Sequence, residues 1–129
     1  MIREQGSALA LDAVSASTSS DWLLMARTLP VSITVRVAVT AATLAGTLTI
    51  KGTDFDAKSG SEATCGVFAA GPAPTGFSFA NGVLTFANPS IGTSEIVLQA
   101  LGVPRWLRLA YTFTSGGGTV AVSAAVSAW

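Results

Sequence analysis

Strict alternation is the feature that most constrains this chain. Val31, Ile33, Val35, Val37 and Val39 alternate with Ser32, Thr34, Arg36, Ala38 and Thr40. Successive side chains of a strand point to opposite faces, so apolar residues on one parity mark a strand with one buried face. Residues 46–51 repeat the pattern, with Leu48 and Ile50 set against Thr47, Thr49 and Lys51. The stretch between them, 41–46, reads as a hairpin connection that pairs the two strands.

A second local signal is sharper. Phe77, Ser78, Phe79 and Ala80 lead into Asn81-Gly82, and Val83, Leu84, Thr85 and Phe86 follow. Asn and Gly both tolerate the positive φ that a type I′ turn needs. With Asn81-Gly82 as a two-residue loop, Ala80 opposes Val83, Phe79 meets Leu84, and Phe77 meets Phe86. Ser78 then meets Thr85 on the other face, so the register agrees with itself.

The remainder reads as more strands and turns. Residues 94–100 form a strand with Ile96 and Leu98 inward. Residues 105–114 form a longer one, with Leu107, Leu109, Tyr111 and Phe113 inward and Trp106, Arg108, Ala110 and Thr112 outward. Val120, Val122, Ala124 and Val126 mark the inner face of the last strand. Shorter strands are expected at 9–11, 22–26 and 64–69, and the polar stretch 54–61 is an exposed loop. Pro72 and Pro74 end a strand because neither can donate to a ladder. About nine strands without helical periodicity predict an all-β fold. The expectation is a single-domain antiparallel β-sandwich of jelly-roll type over residues 1–129, with a short N-terminal arm over about residues 1–7.

Composition narrows the function. Ala, Gly, Ser and Thr make up 64 of the 129 residues, and only 11% are charged, against about 25% in an ordinary soluble domain. Seven Lys and Arg balance seven Asp and Glu. A neutral chain has no electrostatic footprint for phosphate backbones, so nucleic acid is not an expected partner. The stretch 31–50 is interrupted by Thr, Ser and Arg, and no run approaches the roughly 18 apolar residues of a spanning helix. The first residues lack the apolar core of a signal peptide. Weak surface charge protects a monomer poorly against association, which suggests a surface meant to be covered.

Catalysis has little to work with. There is no His, the commonest general base and metal ligand. The single Cys65 excludes a disulfide framework or a Cys-rich zinc site, and reads as a small buried hydrophobe in a reducing compartment. Asp54 and Asp56, two residues apart, have the spacing to share a calcium ion, but Lys58 takes the next alternate place and a solvated loop is the simpler reading. Glu62 or Glu95 with these acids would make a glycosidase pair only if the fold joined them. The Gly-rich run 115–119 lacks the Lys of a phosphate loop. No catalytic, cofactor or metal residue is therefore expected, and the chain reads as a non-enzyme.

Contact residues are better marked. Trp106 falls on the outward face of its strand between Arg105 and Arg108, and Trp and Arg are enriched at binding hot spots. The alternative is a Trp half-buried under a loop. Trp129 packs into a groove of its own domain or of a neighbour. Met1, Ile2 and Arg3 begin the arm and are candidates to reach a partner.

Two blocks carry a resemblance. One is Ser7-Ala8-Leu9-Ala10-Leu11-Asp12-Ala13-Val14-Ser15-Ala16-Ser17-Thr18-Ser19-Ser20-Asp21, a short apolar strand followed by a run of small residues. The other is Arg105-Trp106-Leu107-Arg108-Leu109-Ala110-Tyr111-Thr112-Phe113, followed by a Gly turn and an Ala/Val/Ser-rich last strand. Together, over about a third of the chain, they resemble the small jelly-roll cement, or decoration, proteins of tailed bacteriophage heads. The second block is similar to that family's Arg-aromatic-Leu-Arg-Leu-x-Tyr strand. The chain departs from the family at Ala110, often polar there, and in its 77–86 hairpin. The resemblance implies a non-enzymatic virion protein on the outer capsid surface, made in the bacterial host cytoplasm. Its partners would be the major capsid protein and itself, as a homodimer with a trimer as the alternative, without cofactor, membrane or nucleic acid. The competing class is a carbohydrate- or receptor-binding module of a phage fibre or tail, for which Trp106 is the only aromatic that the strand pattern turns outward.

Overall fold

The alternating segments fold as strands in the computed structural model, which describes residues 4–24, 31–56, 60–66, 69–70, 73–100 and 103–128. Among these residues there are twelve strands and no helix: β1 (Glu4–Val14), β2 (Thr18–Ser19), β3 (Leu23–Leu24), β4 (Val31–Val39), β5 (Ala45–Thr53), β6 (Ala63–Thr64), β7 (Ala69–Ala70), β8 (Phe77–Ala80), β9 (Val83–Ala87), β10 (Gly92–Ala100), β11 (Trp106–Ser115) and β12 (Val120–Ala128). All pair antiparallel. One sheet runs β1-β12-β4-β10-β7 and the other β2-β11-β5-β9-β8, with β3 also on β11 and β6 also on β5.

The two sheets face each other as a β-sandwich. Ile33, Val35, Val37, Val39, Ile96, Leu98, Val120 and Val122 of the first sheet are buried with Leu48, Ile50, Leu84, Phe86, Leu107, Leu109 and Tyr111 of the second. Each is inward because of its parity in the strand. Full burial of such a side chain contributes about 1.5–3 kcal/mol. The Phe86 and Tyr111 rings stack at 6.0 Å and 3°, and Phe77 tilts against Phe86 at 5.9 Å. An apolar gap of about 10 Å³ lies among Val35, Leu48, Phe79, Ile96 and Leu109, no more than one water would occupy and without polar partners for it.

The Asn81-Gly82 hairpin has the expected register, Phe77↔Phe86, Ser78↔Thr85, Phe79↔Leu84 and Ala80↔Val83. Both loop residues take positive φ, 52° and 82°.

The expected β4–β5 hairpin does not form. β4 is flanked by β10 and β12, so that Val39 pairs with both Gly92 and Val120. β5 is flanked by β11 and β9. With both edges of each strand taken, the two meet face to face across the core, and residues 40–44 carry the chain from one sheet to the other. Leu44, fully buried in that crossover, anchors it. The 116–119 connection between β11 and β12 crosses at the same end. Thr40 N–H donates to the Thr119 carbonyl at 3.1 Å, and Thr119 N–H to Thr40 Oγ1 at 2.7 Å, tying the two crossovers together.

Other expectations shift. The single strand at 64–69 is two short ones in different sheets, β6 on β5 and β7 on β10. The 22–26 strand is seen as Leu23–Leu24, with residues 25 and 26 outside the described residues. Residues 4–7 of the expected arm belong to β1, where Glu4 and Ser7 pair with Ala128 and Val126, and residues 1–3 lie outside the described residues. The ladder partner offered by β12 draws that segment into the sheet.

Candidate protein-interaction surface

Trp106 opens β11 at the end of the sandwich opposite the two crossovers. It pairs with Leu24 on one side and Thr53 on the other. Thr53 is buried, and its hydroxyl accepts the Phe55 N–H at 3.1 Å and meets Ser61 Oγ at 3.0 Å. That local turn bends the chain out of β5 and leaves Phe55 68% exposed, while Leu24 is 50% exposed. Trp106 itself is half-buried. The next residue back, Arg105, donates its backbone N–H to Asp54 Oδ1 at 3.0 Å and its guanidinium lies 3.6 Å from Asp56. Leu24 thus lies beside Trp106, and Phe55 follows Thr53 at the same strand end, between Asp54 and Asp56, which face Arg105. Apolar side chains rimmed by polar ones are the anatomy of a protein contact site.

Arg108, two residues along β11, is engaged within the chain. Its Nη2 lies 2.6 Å from Glu62 Oε1, and its guanidinium carbon sits 4.5 Å from the centre of the Trp22 ring. Both charged side chains are only about one-fifth exposed, at 21% and 19%. Buried pairs of this kind hold together mainly because separating them strands a charge. Of the two arginines, Arg105 is therefore the one presented to solvent, with 53% of its side chain exposed.

Four of the residues expected to make contacts, Met1, Ile2, Arg3 and Trp129, lie outside the described residues. Their nearest described neighbours pair with each other as Glu4↔Ala128. Ala128 pairs also with Val31, which places both strand ends at the Trp106 end of the sandwich.

Trp22, Leu24 and Phe55 were not singled out from sequence, and Glu62 was considered only as one acid of a glycosidase pair. Each is unremarkable locally, and they come together only through the β3–β11–β5 pairing. The apolar run Trp22-Leu23-Leu24 after a polar stretch was the one available signal.

The acidic residues have other roles than a shared site. Asp54 and Asp56 turn to Arg105, Glu62 to Arg108, and Glu95 to Arg36 at 2.8 Å on the other sheet. Among the described residues no group of three or more His, Cys, Asp or Glu is placed to hold a metal ion. Cys65 is buried, and burial, with the nearby Asp54 charge, pushes its thiol up to about 11. Such a thiol is a poor nucleophile at neutral pH. Among the described residues no helix is long and apolar enough to cross a membrane. No family model, curated protein or solved structure matches the chain.

Proposed function

We propose that the chain is a non-enzymatic virion structural protein, a capsid cement or decoration protein that binds the outer surface of a phage head. On this reading its sandwich is a jelly roll, and it stabilises contacts between major capsid proteins. The observation that carries the proposal is the exposed Leu24 and Phe55 at the strand end that holds the half-buried Trp106 and the exposed Arg105, on a weakly charged sandwich. Such a surface offers contact area and an aromatic–Arg anchor rather than reactive groups. Binding the assembled lattice but not the free subunit would stabilise the lattice by mass action.

Co-sedimentation with mature heads lacking the protein tests this. The wild type is expected to pellet with heads and to ignore free capsid subunits. Trp106→Ala and Phe55→Ser should weaken pelleting by at least about tenfold, the scale of one lost hot-spot residue, while the melting curve stays cooperative. Unchanged pelleting of both variants would remove this surface from the contact. Glycan-array binding without head binding would replace the reading with a carbohydrate-binding module.

A further inference from the structure

Among the described residues, the long strand β1 has an open side. It lies at the edge of its sheet and pairs with β12, in unbroken register from Ser7 to Leu11. Irregularities fall only between Glu4 and Ser7 and between Leu11 and Val14. Among the described residues no strand pairs its other side. The remaining edges are made differently: β7 has two residues, β2 and β3 have two each, and β8 has four.

Folded chains blunt exposed edges with Lys, Pro, bulges or brevity, because unpaired N–H and C=O groups recruit another strand. β1 runs over 11 residues without Lys, Arg or Pro. Its two acids, Glu4 and Asp12, stand outside the regular segment Ser7–Leu11.

We infer that β1 pairs antiparallel with β1 of a second copy of this chain, across a two-fold axis at Leu9, joining two five-stranded sheets into one of ten strands. Ser7 then faces the partner's Leu11, Ala8 the partner's Ala10, and Leu9 its own copy. This register uses the whole regular segment and sets Asp12 against Gly6 and Glu4 against Val14. An axis at Ala8 would instead oppose Glu4 to Asp12. Pairing β1 with its own copy consumes both edges and closes, whereas β1 against the partly covered edge of β10 would propagate without end. The inference rests on the proposed function only in giving its self-association a geometry.

Light scattering on the isolated protein tests it, so its failure leaves head binding untouched. The wild type should weigh twice the 13.0 kDa chain. Neighbouring residues of a strand aim their N–H groups to opposite sides, so of Ala8→Pro and Leu9→Pro one removes a bond to β12 and the other a bond across the open edge. The variant that keeps the β-sheet spectrum and a cooperative melt should dimerise at least about tenfold more weakly, the scale of a lost hydrogen bond and a steric block. A monomeric wild type, or a folded variant that dimerises as the wild type does, overturns the proposal. Hydrogen exchange on the wild type gives a test that needs no variant. Dilution to the monomer should release alternate amides within Ser7–Leu11, and unchanged protection there while the mass halves would also overturn it.

Discussion

The Arg108 guanidinium lies over the Trp22 ring, 4.5 Å from its centre, while the same group holds Glu62. Residues 86 positions apart in sequence are thus stapled on the outer face of one sheet. The Arg36–Glu95 pair on the other sheet is geometrically similar but has side chains 64% and 48% exposed. Solvent screening leaves such a pair about 0–1 kcal/mol. Glu62→Gln is therefore expected to lower stability by about 1–3 kcal/mol, and Glu95→Gln by less than about 0.5 kcal/mol. Urea midpoints at unchanged m-value measure both, and equal losses would contradict the burial argument.

Adjacent glycines in the β11–β12 crossover should behave oppositely. Gly116 has φ of 91°, and a Cβ there would stand 2.0 Å from the Thr43 carbonyl oxygen. Gly117 has open space around the same position. Gly116→Ala should cost more than about 1 kcal/mol, through backbone strain and the displaced 40–44 crossover. Gly117→Ala should stay within about 0.5 kcal/mol of the wild type. Thermal melts of the two variants decide it.

Tyr111 is a buried phenol whose hydroxyl has no hydrogen-bond partner among the described residues. Burying an unsatisfied hydroxyl costs about 1–3 kcal/mol, whereas the ring's stacking on Phe86 is untouched by losing it. Tyr111→Phe is expected to hold or raise stability, by up to about 1 kcal/mol. A loss beyond that would reveal a partner for the hydroxyl.

Alkaline pH should weaken the fold in a defined way. Burial raises the Cys65 thiol from 9.0 to about 11 and also raises the Tyr111 phenol above its ordinary 10.0. Between pH 9 and 11 the unfolded chain has lost protons that the folded chain keeps. The unfolded state then binds fewer protons, so stability is full below pH 9 and falls as pH rises. For Cys65 the loss amounts to about 2–3 kcal/mol. Urea titrations across this range should show the decline, and Cys65→Ala should remove most of it. In the native protein at neutral pH, Cys65 should resist thiol reagents that label it once unfolded.

Local rules carried far in this chain. Parity alone assigned the inward faces of β4, β5, β10 and β11, because a strand's side-chain direction is set residue by residue. Asn81-Gly82 specified its hairpin and register, because the turn type depends on two backbone angles that those residues favour. Part of the candidate surface was visible in the same way, as Trp106 on the outward parity, with Arg105 its neighbour in the chain.

Partner choice between strands was not local. β4 and β5 are consecutive, amphipathic and joined by a short link, which fits a hairpin as well as a crossover. The outcome was decided by β10, β12, β9 and β11 filling the edges, and those strands are distant in sequence. The same competition brought Trp22 to Arg108 and set Leu24 beside Trp106. From sequence alone came an all-β chain with known inner faces and one exact hairpin. The tertiary structure decided which strand edges remain open and which outward residues meet, because edge pairing is a choice among distant strands and alternation is not.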